Sequence, residues 1–458
     1  MDIAAIALQV NSLKSFFNQG QTRALSWRRQ QLLQLKKMTE DHEDDIAKAL
    51  EQDLGKCRQE AWTAEIGYLL SEINHSLRHL NKWSKRRRVS TPMVAQPGSS
   101  FLLPEPKGVA LIIGAWNYPF QLLLAPLVAA IAAGNCAVLK PSELAVNVSA
   151  LLAKLVPDYL DQHAFVLIEG GVEQTTEVLK QPFDHVFYTG GESVGKIVMR
   201  AAAEHLTPVT LELGGKSPCI VDQNTNLKVT ARRIVWSKWM NAGQTCVAPD
   251  YVIVSKDFSQ PLIDAIKQEL TAFYGKDSAT NGDYGRIIND RHHARLIGYL
   301  QGQNIIHGGQ ADSDTRYLAP TLVLNPDLHS ALMQEEIFGP ILPIITLDKI
   351  EDSIALVNQR AKPLALYLYT NDKDLTERVL HQTSAGSVCI NDGMIFMTNP
   401  KLPFGGVGNS GMGSYHGQFG FDTFSHLKAV MKRPFIFDVN LRYPPFNRFK
   451  LSVLKKLL

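Results

Sequence analysis

A doubly wound α/β fold is predicted for most of this chain, and three observations carry it. Short apolar runs recur at 109–114, 137–139, 165–168, 186–188 and 209–211, as strands buried on both faces require. Helix-like segments at 120–133, from 142, and at 193–204 separate them, and such alternation argues for a parallel sheet with helices on its faces. The composition, 45% hydrophobic and 20% charged, is that of an ordinary globular enzyme and excludes disordered, collagen-like and coiled-coil chains.

Taken in order, residues 1 to about 85 read as helices, with Leu32, Leu33, Leu35, Ile46, Leu50 and Leu54 at helical spacing among charges. The stretch 86–105 has proline and serine but no helical period, and reads as a strand pair leaving the main body. The strand–helix alternation follows. Ligands of such sheets bind at the carboxyl ends of the strands, which marks Asn117, Lys140, Gly190 and Glu212. Beyond 230 the pattern resumes at 252–254, 262–273, 341–345, 354–358 and 366–369, a second α/β unit. A length of 458 residues suits about three structural units at roughly 150 residues each.

Lys and Arg number 47 against 44 Asp and Glu, too balanced for a nucleic-acid binder. The run Lys82-Trp83-Ser84-Lys85-Arg86-Arg87-Arg88 reads as a solvated helix end. The five cysteines are odd in number, widely spaced and without CxxC, which fits a reducing cytosol. Met1-Asp2-Ile3-Ala4-Ala5 lacks the basic start of a secretory signal. The most apolar helix, 120–133, is broken by Gln121 and Pro126 and falls short of a membrane span of about 20 residues.

Gly190-Gly191-Glu192-Ser193-Val194-Gly195-Lys196 lies between a strand and a helix. As a P-loop it lacks the Mg²⁺-binding hydroxyl, because Ile197 stands there. As a nucleophile elbow it offers Ser193, with His416 and His426 downstream, but its His-Gly-Gly sequence, at His307, follows the elbow instead of preceding it. As a dinucleotide turn it presents backbone N–H groups at a helix start. Gly406-Val407-Gly408-Asn409-Ser410-Gly411 spells GxGxxG but follows Pro403-Phe404, so it reads as a close-packed glycine loop. Cys246, after Gly243-Gln244-Thr245, is either a nucleophile helped by nearby N–H groups or an inert small hydrophobe. Glu212 stands between Leu211 and Leu213 at a strand end. It is either a general base with a raised pKa or a partner of Lys216.

Together these segments resemble the NAD(P)-dependent aldehyde dehydrogenase superfamily. The matching stretches are Gly114-Ala115-Trp116-Asn117-Tyr118-Pro119-Phe120, Lys140-Pro141-Ser142-Glu143, 211–218, Gly243-Gln244-Thr245-Cys246 and Glu335-Glu336-Ile337-Phe338-Gly339-Pro340. The loop 402–417 and Arg442-Tyr443-Pro444-Pro445 are similar to the class 3 branch of fatty and aromatic aldehyde dehydrogenases.

The resemblance implies a Rossmann-like cofactor domain (1–85 and 106–211), an α/β catalytic domain (212–397) and a small oligomerisation segment (86–105 with part of 418–445). It also places the glycine loop 402–417 near the active site. It implies that Cys246 is the nucleophile, that Asn117 and the Cys246 N–H hold the oxyanion, and that Glu212 activates water. Trp116, Lys140, Glu143, Gly190, Gly191, Gly195, Glu336 and Phe338 would bind the cofactor. Tyr68, Trp236 and Trp239 are pocket-wall candidates, with core aromatics as the alternative. The cofactor is expected to be NAD or NADP, with NAD favoured by Glu143; no metal is expected. Glu192 departs from the small or hydroxylated residue usual there, and its carboxylate would repel a nearby phosphate.

The expected function is oxidation of medium- or long-chain aliphatic or aromatic aldehydes to acids, by a cytoplasmic homodimer that binds no nucleic acid. The alternatives are a CoA-acylating dehydrogenase and a serine hydrolase using Ser193. In the tail 446–458, Phe446, Phe449, Val453 and Leu457 fall at helical spacing, Leu454 and Leu458 flank them, and Lys450, Lys455 and Lys456 interrupt. This reads either as a basic amphipathic helix in peripheral membrane contact or as a tail that packs on a partner subunit or stays loose.

Overall fold

A computed structural model describes residues 3–436, 438 and 440–457. Its strands, in chain order, are β1 (Arg87–Val89), β2 (Ser99–Pro106), β3 (Val109–Ile113), β4 (Cys136–Lys140), β5 (Phe165–Leu167), β6 (His185–Thr189), β7 (Val209–Glu212), β8 (Pro218–Val221) and β9 (Tyr251–Ser255). There follow β10 (Ile305–His307), β11 (Ala311–Asp312), β12 (Tyr317–Leu318), β13 (Thr321–Leu324), β14 (Ile341–Leu347), β15 (Ala365–Tyr369), β16 (Ser387–Ile390), β17 (Gly411–Met412) and β18 (Ser425–Lys432).

The first large sheet has the order β17-β7-β6-β3-β4-β5. All its pairings are parallel except β17 with β7. Every residue of β3, β4 and β6 is buried, which is why these strands read as unbroken apolar runs. The helix Gln121–Ala133 is buried on all sides, and so lacks the polar stripe of a surface helix. The chain runs β3, β4, β5 in one direction and then returns to place β6 on the other side of β3. The order therefore reverses between β3 and β6, where a crevice opens in such sheets.

The second sheet has the order β10-β13-β14-β9-β8-β15-β16, parallel except for β10. A third, antiparallel sheet has the order β1-β2-β18. The pair expected in 86–105 therefore gains a third strand from far along the chain, and β2 matches β18 over its whole length. The basic run leaves its helix at Trp83, and Arg87 enters β1 and pairs with Asp422.

Three elements differ from the sequence reading. Leu33 is exposed and its neighbour Gln31 is buried, accepting from the Asp161 N–H at 3.0 Å. The helix expected from Ser142 begins at Val146, because 142–145 form a turn in which Ser142 Oγ accepts from the Leu144 N–H. The helix expected at 262–273 runs Lys256–Tyr274. In the tail, Arg448–Leu457 is helical and Phe446 and Phe449 are exposed; Leu458 lies outside the described residues. No described helix is long and apolar enough to cross a membrane.

Candidate active site

A cleft of about 1300 Å³ opens at the reversal between β3 and β6, and the second sheet's loops close its far side. That exceeds the roughly 300–1,000 Å³ of a drug-sized site and suits a dinucleotide together with a small substrate. The strand-end residues Asn117, Lys140, Gly190 and Glu212 all line it, as does Cys246.

Cys246 is part-exposed to the cleft. Its loop is held under strain: Asn241 and Ala242 have φ of 54° and 50°, left-handed values that cost non-glycine residues energy and persist only when the surroundings enforce them. The enforcing contacts are visible. Asn241 Nδ2 donates to Asn117 O at 2.8 Å, Asn117 Nδ2 to Gln244 O at 3.0 Å, and Tyr118 OH and Thr245 Oγ1 bond at 2.7 Å. Gln244 is spent on structure, bonding Asn241 O, Arg286 O and the Ile288 N–H. The Asn117 amide is thus fixed beside the cysteine loop, with one N–H bound to Gln244 O. Burial, and then the charges of Glu336 and Glu212, push the Cys246 thiol up; the N–H groups of Cys246 and Val247 oppose this.

Glu212 ends β7, opposite Gly411 of β17. It is buried, and among the described residues neither carboxylate oxygen has a hydrogen-bond partner. Desolvation alone raises its pKa well above the carboxylate range. The alternative pairing with Lys216 does not form. Lys216 instead pairs with Asp250 and donates to Leu332 O and Glu335 O, because its side chain turns toward the second sheet.

Glu336 is set against the turn after β7. A Cβ on Gly214 would collide with its carboxylate, and the Gly215 N–H donates to it. Burial and the neighbouring Asp250 raise its pKa to about 8. Arg295 Nη2 donates to Ile337 O at 2.9 Å. Trp116 meets Phe338 edge-on at 5.2 Å and His292 at the same distance, so one end of the cleft is aromatic.

At the other end, Lys140 is buried with Nζ donating to Pro141 O at 2.8 Å, and Glu143 is exposed. Gly190 and Gly191 lead into the helix Glu192–Ala203. A Cβ on Gly190 would strike the Tyr188 hydroxyl, whereas the space around Gly191 is open. This bare helix start is the kind of cradle a pyrophosphate requires. Glu192 turns aside, paired with Lys196 at 2.7 Å and accepting from Asn409 Nδ2 at 3.1 Å. Gly195 is buried, where a Cβ would press on Leu213 at 2.9 Å, so its smallness serves packing.

Other expected residues lie elsewhere. Trp239 is fully buried with its indole N–H on Pro340 O at 2.9 Å, a core residue. Trp236 is 37% exposed and Tyr68 bonds His416 Nε2 at 2.6 Å; none of the three lines this cleft. Ser193 is exposed on the first turn of its helix, and among the described residues no histidine bonds to it. His416 is engaged with Tyr68. The GxGxxG stretch is close-packed, since a Cβ on Gly406 or Gly411 would strike backbone oxygens. No described group of three or more His, Cys, Asp and Glu could hold a metal ion.

Sequence reasoning missed Lys56. Its buried ammonium pairs with Glu65 and donates to Asn117 O at 2.9 Å, while Glu65 accepts from the N–H groups of Phe120 and Gln121. This buried pair clamps the Asn117 loop to the start of the next helix. A lone lysine after Gly55 gives no local signal of that role.

The chain is similar to known proteins over almost its whole length. The profile of the Aldehyde dehydrogenase family matches residues 5–430. Aldehyde dehydrogenase family 3 member A2 of Rattus norvegicus is 48% identical over 98% of this chain and 93% of its own length. The "Aldehyde dehydrogenase, dimeric NADP-preferring" of Canis lupus familiaris is 46% identical over 97% of this chain and 98% of its own. Among solved structures, the substrate-bound state of Staphylococcus aureus AldH superposes with a TM-score of 0.96 at 46% identity, covering 100% of this chain and 99% of that one.

Proposed function

Because the chain belongs to the aldehyde dehydrogenase family and oxidises aldehydes with NAD(P), we propose how its cleft divides that reaction. The carrying observation is that Asn117, Glu212 and Cys246, from three separate segments, line one cleft. Cys246, part-exposed to the cleft, gives its thiol proton to the cleft water, and Sγ adds to the aldehyde carbon as the thiolate. The oxyanion so formed lies within reach of the free Asn117 N–H and the Cys246 backbone N–H, donors already fixed by the loop contacts. When bound, the dinucleotide supplies the hydride acceptor that leaves a thioester on Sγ. Glu212 takes a proton from water, which attacks the thioester and releases the acid. A carboxylate placed for that step argues against the CoA-acylating alternative, in which CoA takes the acyl group.

The turn at Gly190 and Gly191 would hold the pyrophosphate, Lys140 and Glu143 the adenosine ribose, and Glu336 the nicotinamide ribose, with Trp116 and Phe338 packing near the ring. An exposed carboxylate at Glu143 would repel a 2′-phosphate, so NAD is favoured over NADP in this chain, whereas the canine relative is named as NADP-preferring.

In this division, 1–85 with 106–211 holds the dinucleotide and 212–397 carries the nucleophile. The β1-β2-β18 sheet supplies the contact for a homodimer, the state named for the canine relative. The exposed Phe446 and Phe449 with Lys450, Lys455 and Lys456 would give the tail a peripheral contact with an anionic membrane from a cytoplasmic position. Flotation with anionic liposomes tests this, because a chain truncated after Pro445 should lose the association.

The substrates are apolar aldehydes, aliphatic of medium or long chain, or aromatic. The test is the rate of cofactor reduction across straight-chain aldehydes of increasing length, with and without CoA. Turnover without CoA that improves with chain length supports the reading. Turnover only with CoA overturns it.

A further inference from the structure

Around Glu212, which lines the cleft with Cys246, the chain leaves buried polar atoms without partners. Among the described residues, both Glu212 carboxylate oxygens, the Tyr415 hydroxyl and the Gln121 Nε2 make no hydrogen bond. All three side chains are buried. They come from separate elements: Glu212 ends β7, Tyr415 follows β17, and Gln121 begins the helix Gln121–Ala133. Leaving a buried polar atom unpaired is costly, so a cluster of them calls for a shared partner.

They converge for reasons visible in the fold. Gly411 of β17 is paired with Glu212, and Leu213 N–H donates to Ser410 O at 3.1 Å, so the chain leading to Tyr415 starts beside Glu212. The Tyr415 ring is locked edge-on against Phe187 at 5.0 Å and Phe404 at 5.8 Å. Gln121 is pinned by its own N–H on Glu65 Oε2 at 3.1 Å. Burial raises the pKa of the Tyr415 hydroxyl, the charges of Glu212, Cys246 and Glu72 add to this, and the Gln121 side chain comes close enough to the hydroxyl to oppose them.

We propose that the Tyr415 hydroxyl, backed by the Gln121 carboxamide, holds the hydrolytic water against Glu212. This deepens the reading above and rests on it. The chemistry matches atom by atom. A buried water needs two to four polar partners. Here it donates one hydrogen to Glu212 and accepts one from Tyr415, and its second lone pair is left for the acyl carbon. As that pair bonds to the thioester carbon, the water O–H breaks and its proton passes to Glu212. The C–S bond then breaks with its pair returning to Cys246 Sγ, the acid leaves, and the proton on Glu212 passes to the sulfur. Nothing else is consumed. Tyr415 is thereby a water-positioning residue and Glu212 remains the base.

The test uses the cofactor-independent esterase reaction. p-Nitrophenyl acetate acylates Cys246 with release of nitrophenolate, and the acetyl-enzyme then waits for water. The variants are Tyr415→Phe, which keeps the ring packing, and Gln121→Leu, which keeps the backbone contact to Glu65. Acid-quenched intact mass gives the acetylated fraction. Acylation should be unchanged, and the loss of the acetyl group should slow about ten- to a hundredfold in Tyr415→Phe and by less in Gln121→Leu. Hydroxylamine attacks the thioester without a held water, so it should bring acetyl loss in both variants to the wild-type rate. Unchanged acetyl loss in Tyr415→Phe overturns the inference, and so does slow loss that hydroxylamine does not restore. If wild-type protein takes up no acetyl group on Cys246, the underlying reading fails as well, and that result is distinct from either.

Discussion

Replacing Glu212 with Gln should separate the two halves of the reaction. The side chain is buried and among the described residues forms no hydrogen bond, and Gln has nearly the same volume. The variant therefore opens no cavity and breaks no contact, and it removes a carboxylate whose charged form burial disfavours. Folding should be unharmed. Acylation should survive too, because Cys246, the Asn117 amide and the loop contacts that position them are untouched. What is lost is the base for hydrolysis, about 10²–10⁴-fold in that step, or roughly 3–5 kcal/mol on its barrier.

Stopped-flow absorbance should show a burst of about one reduced cofactor per site followed by a stall, with the acyl adduct visible by intact mass. Wild-type turnover should also fall as pH falls, because the raised pKa of Glu212 keeps it protonated to higher pH than an ordinary carboxylate; the variant should lack that dependence. Steady-state turnover unchanged by the substitution would refute the assignment.

Asn117→Ala removes an oxyanion donor and should slow acylation about 10²–10³-fold, leaving the dissociation constant of the cofactor, measured by fluorescence titration, unchanged. Glu143→Gln should narrow the gap in kcat/KM between NAD and NADP; a wider gap contradicts the placement of Glu143 at the ribose. Glu336 concerns stability. Its pKa is about 8 in the fold against a model-peptide value of 4.5, so the folded state holds a proton that the unfolded state has released between those values. Stability of the cofactor-free protein should fall across that window by an amount on the order of a few kcal/mol. Glu336→Gln should flatten that slope in denaturant titrations at several pH values, and an identical slope in both proteins rules the effect out.

The strands β3 to β7 of the first sheet and the residues at their ends are legible in sequence because parallel strands of a covered sheet must be largely apolar, and the loops after them stand out as polar or glycine-rich; β17, two residues inside a glycine loop, is not. β8 and β13 are not legible either, because no helix separates β8 from β7 or β13 from β12, so the strand–helix alternation does not mark them. Side-chain partnership is the larger gap. Lys216 sits four residues from Glu212, yet its carboxylate partner is Asp250, a choice made by the second sheet. Trp236 and Trp239 share one helix, and only the packing of that helix shows Trp239 entering the core and Trp236 meeting solvent. Lys56 supports the Asn117 loop from a distant helix end, a contact without local signature. The carboxylate of Glu192, on the turn after β6, is likewise held by Asn409 from far along the chain as well as by Lys196 one turn on.

The central claim is that Cys246 forms the covalent bond to the substrate. Its most direct test is cofactor reduction by Cys246→Ala and Ser193→Ala side by side, with an aliphatic aldehyde and NAD⁺, and with cofactor affinity measured for both. Cys246→Ala should produce no reduced cofactor while binding NAD⁺ as the wild type does, because the thiol touches only the substrate, and Ser193→Ala should turn over nearly normally. Turnover that survives loss of the thiol and disappears with the Ser193 hydroxyl would contradict the account.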